Sequence, residues 1–535
     1  MKLTKVQWIG LVLGFLGFIL PLIFTFTGLS FAGHMALGIF LLAAVFWMFE
    51  PIPIYSTSML IILLEVLLLS MQGPVFMDAT LPVETLSKTN GQYEVPLQAV
   101  SGEQLLYSVS SGGETAAHKV EVRSMPNGKL QIQSPDLHEG MTIISNADHR
   151  LVKYKPNDYS DYLATLASPI IILFLGGFVL AEASVKYNLD RNLTRLLLRP
   201  FGSKPMFIVL GLMLVTAVLS AFMSNTATTA MMMTVILPII ARIDSGDALK
   251  IGVALSIPFA ANIGGIATPI GTPPNAVVIG ALSQHGLNIT FGQWMLYAVP
   301  IVVVMLAVAW GVLMIIYPAK TDRLKLDLSG RFDRSVNARI LYFVFGFTVL
   351  AWVTESIHGI NSSMIALVPV AALTFFGVVD KEEIRNLPWE VLWLVAGGLA
   401  LGIALDRTGL AQWMISSIEW QSLSNIWLLL VFGAVAVSMS NFLSNTVTAT
   451  LLIPLAISLS TSGVAGSGFS LLITSLLIGI GASLAMVLPI STPPNAIAIS
   501  TGMVETKDMA KAGVLIGIIG LMMVMAYSIF VWPFI

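Results

Sequence analysis

Apolar stretches long enough to cross about 30 Å of hydrocarbon recur along almost the whole chain, interrupted by one long polar interval. Candidate spans fall near 7–29, 34–50 and 52–71. From about Gly73 to Tyr162 the pattern changes to shorter, alternating runs. Val120-Glu-Val-Arg123 and Leu130-Gln-Ile-Gln133 alternate with period two on either side of Pro126-Asn127-Gly128, which reads as a hairpin. Apolar spans resume near 164–185, 205–222, 227–241, 251–282, 292–317, 339–357, 360–379, 388–406, 424–440, 447–461, 468–502 and 509–534. The pattern predicts a polytopic membrane protein with a small β-rich extramembrane insert.

Composition agrees. Of 535 residues, 56% are hydrophobic and only 10% charged, against about 25% charged in soluble domains. A net charge of −2 points to no nucleic-acid partner. Cysteine is absent, and the six histidines are dispersed, with no pair at metal-ligand spacing. An intramembrane enzyme would need a His-Glu-x-x-His, an Asp pair or a Ser/His dyad, and none occurs. The apolar run Trp8–Thr27 follows Lys2 and Lys5 like a signal peptide. It is long for one, contains Pro21 and lacks a small-residue cleavage site, so it reads as the first membrane helix.

Charges fix the expected topology. Short loops rich in Lys and Arg lie in the cytoplasm. One cluster, Lys186, Arg191, Arg195, Arg199 and Lys204, follows the 164–185 span; a second, Lys320, Arg323, Lys325, Arg331, Arg334 and Arg339, follows 292–317. With the start inside, three crossings put the insert outside and a fourth brings the first cluster inside. The second cluster is also inside only if 205–222 and 227–241 enter and leave on one side, as a re-entrant hairpin. The same logic makes 424–440 and 447–461 a second hairpin from the opposite face. Eleven crossings and two hairpins result.

The hairpins carry a repeated motif. The first turns at Ser220-Ala-Phe-Met-Ser224-Asn225-Thr226 and the second at Ser440-Asn-Phe-Leu-Ser444-Asn445-Thr446. Downstream lie Pro269-Ile-Gly271-Thr272-Pro273-Pro274-Asn275 and Pro489-Ile-Ser491-Thr492-Pro493-Pro494-Asn495. Positions 224 and 444, and positions 272 and 492, differ by the same 220. Gly176-Gly177 and Gly397-Gly398 correspond within one residue and read as close helix packing. An odd number of crossings between the copies makes this an inverted-topology repeat.

Helices broken at membrane depth free backbone groups, which persist only where they line a cavity or meet a ligand. Ser-Asn-Thr before a helix offers hydroxyls, a carboxamide and orphan N–H groups at a positive dipole end, which suits an anion. The carbonyls ending the preceding arm suit a cation. Pro-Pro after Thr272 and Thr492 breaks the neighbouring span and starts another helix. Two such halves hold a doubly charged anion between them without any Arg or Lys, and neither motif contains one.

The paired Ser-Asn-Thr turns and Thr-Pro-Pro-Asn loops resemble the divalent anion:sodium symporter family of dicarboxylate, citrate and sulfate carriers. The resemblance covers roughly 1–72 and 163–535 and leaves out the polar insert. It implies that Asn225, Thr226, Asn445 and Thr446 contact substrate carboxylates, with Thr272, Pro273, Thr492 and Pro493 shaping the pocket. It implies one Na⁺ around Ser220, Ser224, Asn225 and the Gly271 carbonyl, and another around Ser440, the Leu443 carbonyl, Asn445 and Ser491. It also implies a homodimer in which a transport domain moves against a scaffold as an elevator. A dianion entering against 100 mV, inside negative, faces about 4.6 kcal/mol. Two Na⁺ cancel its charge and a third lets the potential drive uptake, so coupling to at least two, and by expectation three, follows.

The expected fold is therefore all-α in the membrane, divided into scaffold helices 1–72, a β-rich extracytoplasmic insert 73–162, a first repeat 163–317, a linker with scaffold helices 318–384 and a second repeat 385–535. The expected function is sodium-coupled uptake of a divalent anion across a bacterial inner membrane. C4-dicarboxylates come first, then citrate and sulfate, with sodium-independent exchange as the variant. A sodium/proton antiporter would need a carboxylate at the helix breaks, and neither motif has one. An arsenite or other oxyanion exporter shares the broad topology without the doubled pattern. A sensor with the insert as receptor would need a cytoplasmic output module, and the basic loops are short. Glu65, in an otherwise apolar run, is expected to reach the interface or a dimer contact; Asp406-Arg407 reads as a boundary pair and Met231-Met-Met233 as packing.

Overall fold

In a computed structural model of the chain, the described residues are 3–70 except 25, 27, 28 and 30, the strands within 80–144, and 158–324 except 245, together with 332–416, 424–461 and 470–535. Pro126-Asn127-Gly128, Lys2, Lys325, Arg331 and the side chains of the insert lie outside them. The chain forms two compact units. One comprises Met1–Leu166, Ala396–Ser422 and Ser458–Ala465; the other comprises Ala167–Val395, Leu423–Ile457 and Gly466–Ile535.

In the first unit, α1 (Lys5–Ile23) starts at a reciprocal cap in which Gln7 N–H donates to Thr4 Oγ1 and Thr4 N–H donates to Gln7 Oε1. It packs on α2 (Phe31–Phe49) through Gly10, Gly14 and Gly17, where any Cβ would meet Phe49, Phe46 or Leu41. Small residues at this spacing let membrane helices approach closely. The third helix, α3 (Ile54–Leu68), turns Thr57, Ser58, Ile61, Ile62 and Glu65 inward as one stripe. Glu65 therefore does not reach the interface as expected: it is 0% exposed, and neither carboxylate oxygen has a hydrogen-bond partner. Gly397 meets Ser58 closely, a packing role for the second double-Gly.

Between α3 and α4 (Tyr159–Ala164) lie β1 (Thr80–Pro82), β2 (Ser87–Thr89), β3 (Gln92–Val95), β4 (Gly102–Val109), β5 (Thr115–Ser124), β6 (Leu130–Gln133) and β7 (Thr142–Ile144). They pair antiparallel in the order β1-β7-β4-β5-β6-β3-β2, and Ser124 stands opposite Leu130.

Membrane-type helices then resume with α5 (Pro169–Lys186), followed by the short amphipathic α6 (Leu189–Leu198), α7 (Pro205–Ser220) and α8 (Asn225–Ile240). Next come α9 (Leu249–Gly265), α10 (Pro273–Gln284), α11 (Phe291–Ile316) and α12 (Val336–Val353). Short pieces follow: α13 (Glu355–His358), α14 (Ser362–Ile365), α15 (Leu367–Phe375) and α16 (Lys381–Arg385). The chain continues through α17 (Trp389–Arg407), α18 (Leu410–Ser416), α19 (Asn425–Phe442) and α20 (Asn445–Thr461). It closes with α21 (Leu471–Ala482), α22 (Pro493–Ser500) and α23 (Thr506–Phe530). Eight helices among the described residues are long and apolar enough to cross a membrane.

Helix α9 is apolar all round and buried on every face, which makes it the centre of the second unit. Gly264 lets it lie against the Ala217 backbone of α7, and Trp294 Nε1 donates to Ile266 O just past its end (3.0 Å). Gly176 of α5 presses on Ala366, again packing. Gly513 of α23 meets the Met486 carbonyl closely. The loop entering α9 is held by Asp247, which accepts from Leu249 N–H, Lys320 N–H, Thr321 N–H and the Thr321 hydroxyl. Burial pushes the Asp247 carboxyl up, but these hydrogen bonds outweigh it and hold it below the usual carboxylate range.

Candidate substrate and cation site

Both hairpin turns and both broken spans belong to the second unit, only the last turn of α20 lying in the first. The turn between α7 and α8 puts Asn225 at the first position of α8, five residues after Ser220. Ser220 Oγ lies 2.5 Å from the Asn225 carboxamide and 2.9 Å from Ala261 O of α9. The same carboxamide atom is 3.3 Å from Ala261 O and 3.2 Å from Gly271 O. A serine hydroxyl has one proton, so it satisfies one of these oxygens and not the others. Either the Asn225 amide turns its NH₂ into the cluster, or its carbonyl oxygen faces it and a cation completes it.

The second copy repeats the arrangement. Ser440 Oγ lies 2.6 Å from both Asn445 Oδ1 and Ala482 O of α21, one proton again between two acceptors. Ala261 and Ala482 are offset by 221 residues, a one-residue slip from the 220 of the motifs. With the Asn225 carbonyl turned inward, both clusters are neutral oxygens, the hard ligands that alkali and alkaline-earth cations take. No group of three or more His, Cys, Asp or Glu that could hold a metal ion occurs among the described residues.

The Thr-Pro-Pro-Asn loops close on the same hairpins. Thr272 and Thr492 are extended, as a residue before proline must be, and the two prolines open α10 and α22. Each loop is tied back by its asparagine. Asn275 Nδ2 donates to Gly265 O (3.0 Å) and Thr268 O (2.8 Å), while Asn495 Nδ2 donates to Leu488 O (3.0 Å). Each is also tied to its hairpin turn at equivalent carbonyls. Thr268 Oγ1 donates to Ala221 O, and Ser491 Oγ donates to Asn441 O at 2.9 Å.

The copies interlock. Helix α22 of the second packs against α8 and α9 of the first, and α10 of the first packs against α21 of the second. Asn262 of α9 donates through Nδ2 to Thr492 Oγ1 (3.1 Å) and Asn495 Oδ1 (3.2 Å). The N-termini of four helices and two neutral oxygen clusters thus belong to one packed unit, an arrangement suited to an anion with cations beside it.

Relatives agree. The citrate transporter family model CitMHS matches residues 151–479. The chain belongs to this family. An uncharacterized transporter of Haemophilus influenzae is 34% identical over 394 residues, covering 69% of this chain and 82% of that one. The sodium-dependent dicarboxylate transporter SdcS of Staphylococcus saprophyticus is 30% identical over 407 residues, covering 69% and 78%. SdcS of Staphylococcus aureus is 29% identical over 402, covering 68% and 76%. The solved YdaH transporter of Alcanivorax borkumensis superposes with a TM-score of 0.48 at 12% identity, over 70% of this chain and 89% of that one, too distant to carry weight. The resemblance to divalent anion:sodium symporters read from the doubled motif is borne out, and this is a multi-pass membrane transporter and not an enzyme.

Within this citrate-transporter-family chain, Ser220, Asn225 and Gly271 converge, as do Ser440 and Asn445. None of the described hydrogen bonds joins Ser224, Leu443 or Ser491 to Asn225 or Asn445. Ser444 Oγ accepts from Val447 N–H (3.2 Å), whereas Ser224 makes no such cap. Leu443 is extended and buried at the end of α19. Thr446 is buried while Thr226 is exposed, so the two Ser-Asn-Thr units differ in access. Pro273 is half-buried, Pro493 exposed, and both threonines before them are buried. Sequence reading missed the Ala261 and Ala482 carbonyls, Thr268, Asn441 and Asn262. The first two are chemically silent alanines. Asn262 had a signal, since an asparagine inside an apolar helix needs a partner.

Proposed function

We propose that this transporter couples sodium to the uptake of divalent anions, C4-dicarboxylates first. The observation that carries the reading is the same cluster built twice, a serine hydroxyl against the carboxamide five residues on and a carbonyl of the neighbouring broken helix, at Ser220 and at Ser440. A Na⁺ at each cluster would be met by the carboxamide oxygen, the serine oxygen and the helix-end carbonyl together. The relatives named sodium-dependent dicarboxylate transporter supply the substrate class. Asn225, Thr226, Asn445 and Thr446 meet the anion's carboxylates at the helix N-termini, with Thr272, Pro273, Thr492 and Pro493 shaping the pocket between them. Ser220, Ser224, Asn225 and Gly271 serve one Na⁺, and Ser440, Leu443, Asn445 and Ser491 the other. Citrate is the second reading, favoured by the family description.

The topology of the reading is eleven crossings with α7–α8 and α19–α20 as re-entrant hairpins. At 16 residues each, α7 and α8 reach about 24 Å, short of the hydrocarbon thickness. The segment 73–162 is a β-rich module on the extracytoplasmic side of a bacterial inner membrane. Two copies of the chain form a homodimer, and the repeats 163–317 and 385–535 supply the moving part of an elevator, with 1–72 and 318–384 as scaffold.

The test is labelled succinate uptake into proteoliposomes under an inward Na⁺ or K⁺ gradient, with citrate and sulfate as competitors. Na⁺-dependent uptake that accelerates when the interior is made negative supports the reading. Uptake indifferent to Na⁺ would make the protein an exchanger. Uptake of citrate alone would replace the substrate and keep the site.

A further inference from the structure

Asn262 breaks the internal symmetry of the chain. At an offset of 220 its counterpart is Ala482, and at the slipped offset of 221 it is Ser483, whose hydroxyl turns back onto Gly479 O (3.2 Å). Only the first repeat sends a carboxamide from this position. Asn262 is 1% exposed, and both acceptors of its Nδ2 belong to the second repeat's Thr-Pro-Pro-Asn loop.

The orientations form a chain anchored on the backbone. Leu488 O and Ala485 O (3.0 and 3.5 Å) can only accept, so they hold Asn495 with its NH₂ toward them and its Oδ1 away. That oxygen in turn fixes the Nδ2 side of Asn262 toward the loop. The second Asn262 proton goes to Thr492 Oγ1, which also accepts from Asn495 N–H at 3.4 Å. Thr492 is 5% exposed and its oxygen is engaged as acceptor twice, so its own proton is the part left to give. The equivalent Thr272 makes no side-chain cap bond, and Asn275 Oδ1 is buried with no partner.

We infer that Asn262 is a positioning residue. It presets the Thr492 hydroxyl as a hydrogen-bond donor to the transported carboxylate and latches the second repeat's loop to the first repeat's α9. The inference rests on the reading of Thr492 as an anion contact. Preset donors bind a carboxylate without first giving up another acceptor, and an imposed direction favours a charged oxygen over a neutral one.

A double-mutant cycle tests it, on full-length protein in proteoliposomes with succinate and, in parallel, citrate as probe. Asn262→Ala and Thr492→Val are each expected to raise the substrate KM about tenfold, while half-saturation by Na⁺ stays within about twofold. The double variant is expected to match Thr492→Val alone, because Asn262 then has no hydroxyl to set. Multiplied effects in the double variant would overturn the positioning role. A wild-type KM in Thr492→Val would instead sink the assignment of Thr492 to the anion, so the two failures are distinct. Should Asn262→Ala fail to fold, the near-isosteric Asn262→Asp replaces it in the cycle. Its carboxylate accepts the Thr492 proton and turns it from the anion, so a raised KM is expected in protein that remains folded and monodisperse, at some cost in melting temperature from the buried charge. An unchanged KM in folded Asn262→Asp would overturn the inference.

Discussion

The two repeats share a sequence motif and a hydrogen-bond motif, yet they are held together differently. In both, a serine at the end of the first hairpin arm reaches the asparagine five residues on and a carbonyl of the neighbouring broken helix. In both, the loop asparagine ties its own turn, and a hydroxyl bonds the carbonyl after that serine. The first repeat packs its cluster against glycine: a Cβ at Gly265 would come within 2.5 Å of the Asn225 carboxamide, and the equivalent residue is already Ala485. The second repeat has Asn441 where the first has Ala221, and the Asn441 oxygen receives Val487 N–H (3.0 Å). What recurs is the chemistry of the polar clusters. What differs is the support, which each copy builds from whatever its neighbours provide.

The comparison breaks most visibly if both carboxamides are removed. Asn225→Ala/Asn445→Ala is expected to abolish Na⁺-driven succinate uptake while leaving the protein in the membrane, checked by flux and by monodisperse size exclusion. Gly265→Ala is expected to be nearly as damaging, with Na⁺ half-saturation raised at least tenfold, since a contact of 2.5 Å forces the Asn225 side chain aside. The reciprocal Ala485→Gly should leave transport near wild type. Equal effects of the two would mean that the clusters are not built differently.

Smaller effects sharpen the contrast. Thr268→Val and Ser491→Ala each remove one hydrogen bond onto equivalent turn carbonyls, leaving a buried acceptor unpaired at a cost of about 1–3 kcal/mol. Each is expected to lower the melting temperature, and Ser491→Ala to weaken Na⁺ binding more, because Ser491 is also proposed to serve a Na⁺ and Thr268 is not. The smallest effect on transport belongs to Asp247. Its carboxyl is held below the usual range, so its contribution is complete above the unfolded value of about 3.9 and disappears as pH falls through the lower folded value. Melting temperature should be insensitive to this group between pH 5 and 8. Asp247→Asn should lower it at pH 7 by removing an acceptor for four donors, with KM unchanged.

How legible this was depended on chemistry that shows in a single residue. Hydrophobic runs located the helices, and the paired prolines after Thr272 and Thr492 located the breaks, because two successive residues without an N–H start a helix readily but do not continue one, whereas the single Pro238, Pro258, Pro300 and Pro454 stay inside helices. The fixed spacing of Ser-Asn-Thr and Thr-Pro-Pro-Asn located both hairpin turns and both broken spans of the proposed site. Carbonyls were invisible: Ala261 and Ala482 carry no side-chain signal, and the backbone oxygen that matters is selected by the packing of α9 and α21. Asn262 was visible but unassigned, since its partners lie 230 and 233 residues away. Glu65 misled for a related reason. Its helix period places it on the buried stripe of α3, which reads correctly only when the neighbouring helices are known.

The central claim is one cation cluster per repeat, and single-copy variants test it most directly. Succinate uptake into proteoliposomes would be measured against external Na⁺ for wild type, Ser220→Ala and Ser440→Ala. The account predicts a sigmoidal wild-type curve and, in each variant, weaker Na⁺ affinity with a Hill coefficient lowered by about one, since the coefficient is bounded by the number of coupled sites. Wild-type Na⁺ dependence in both variants would contradict it.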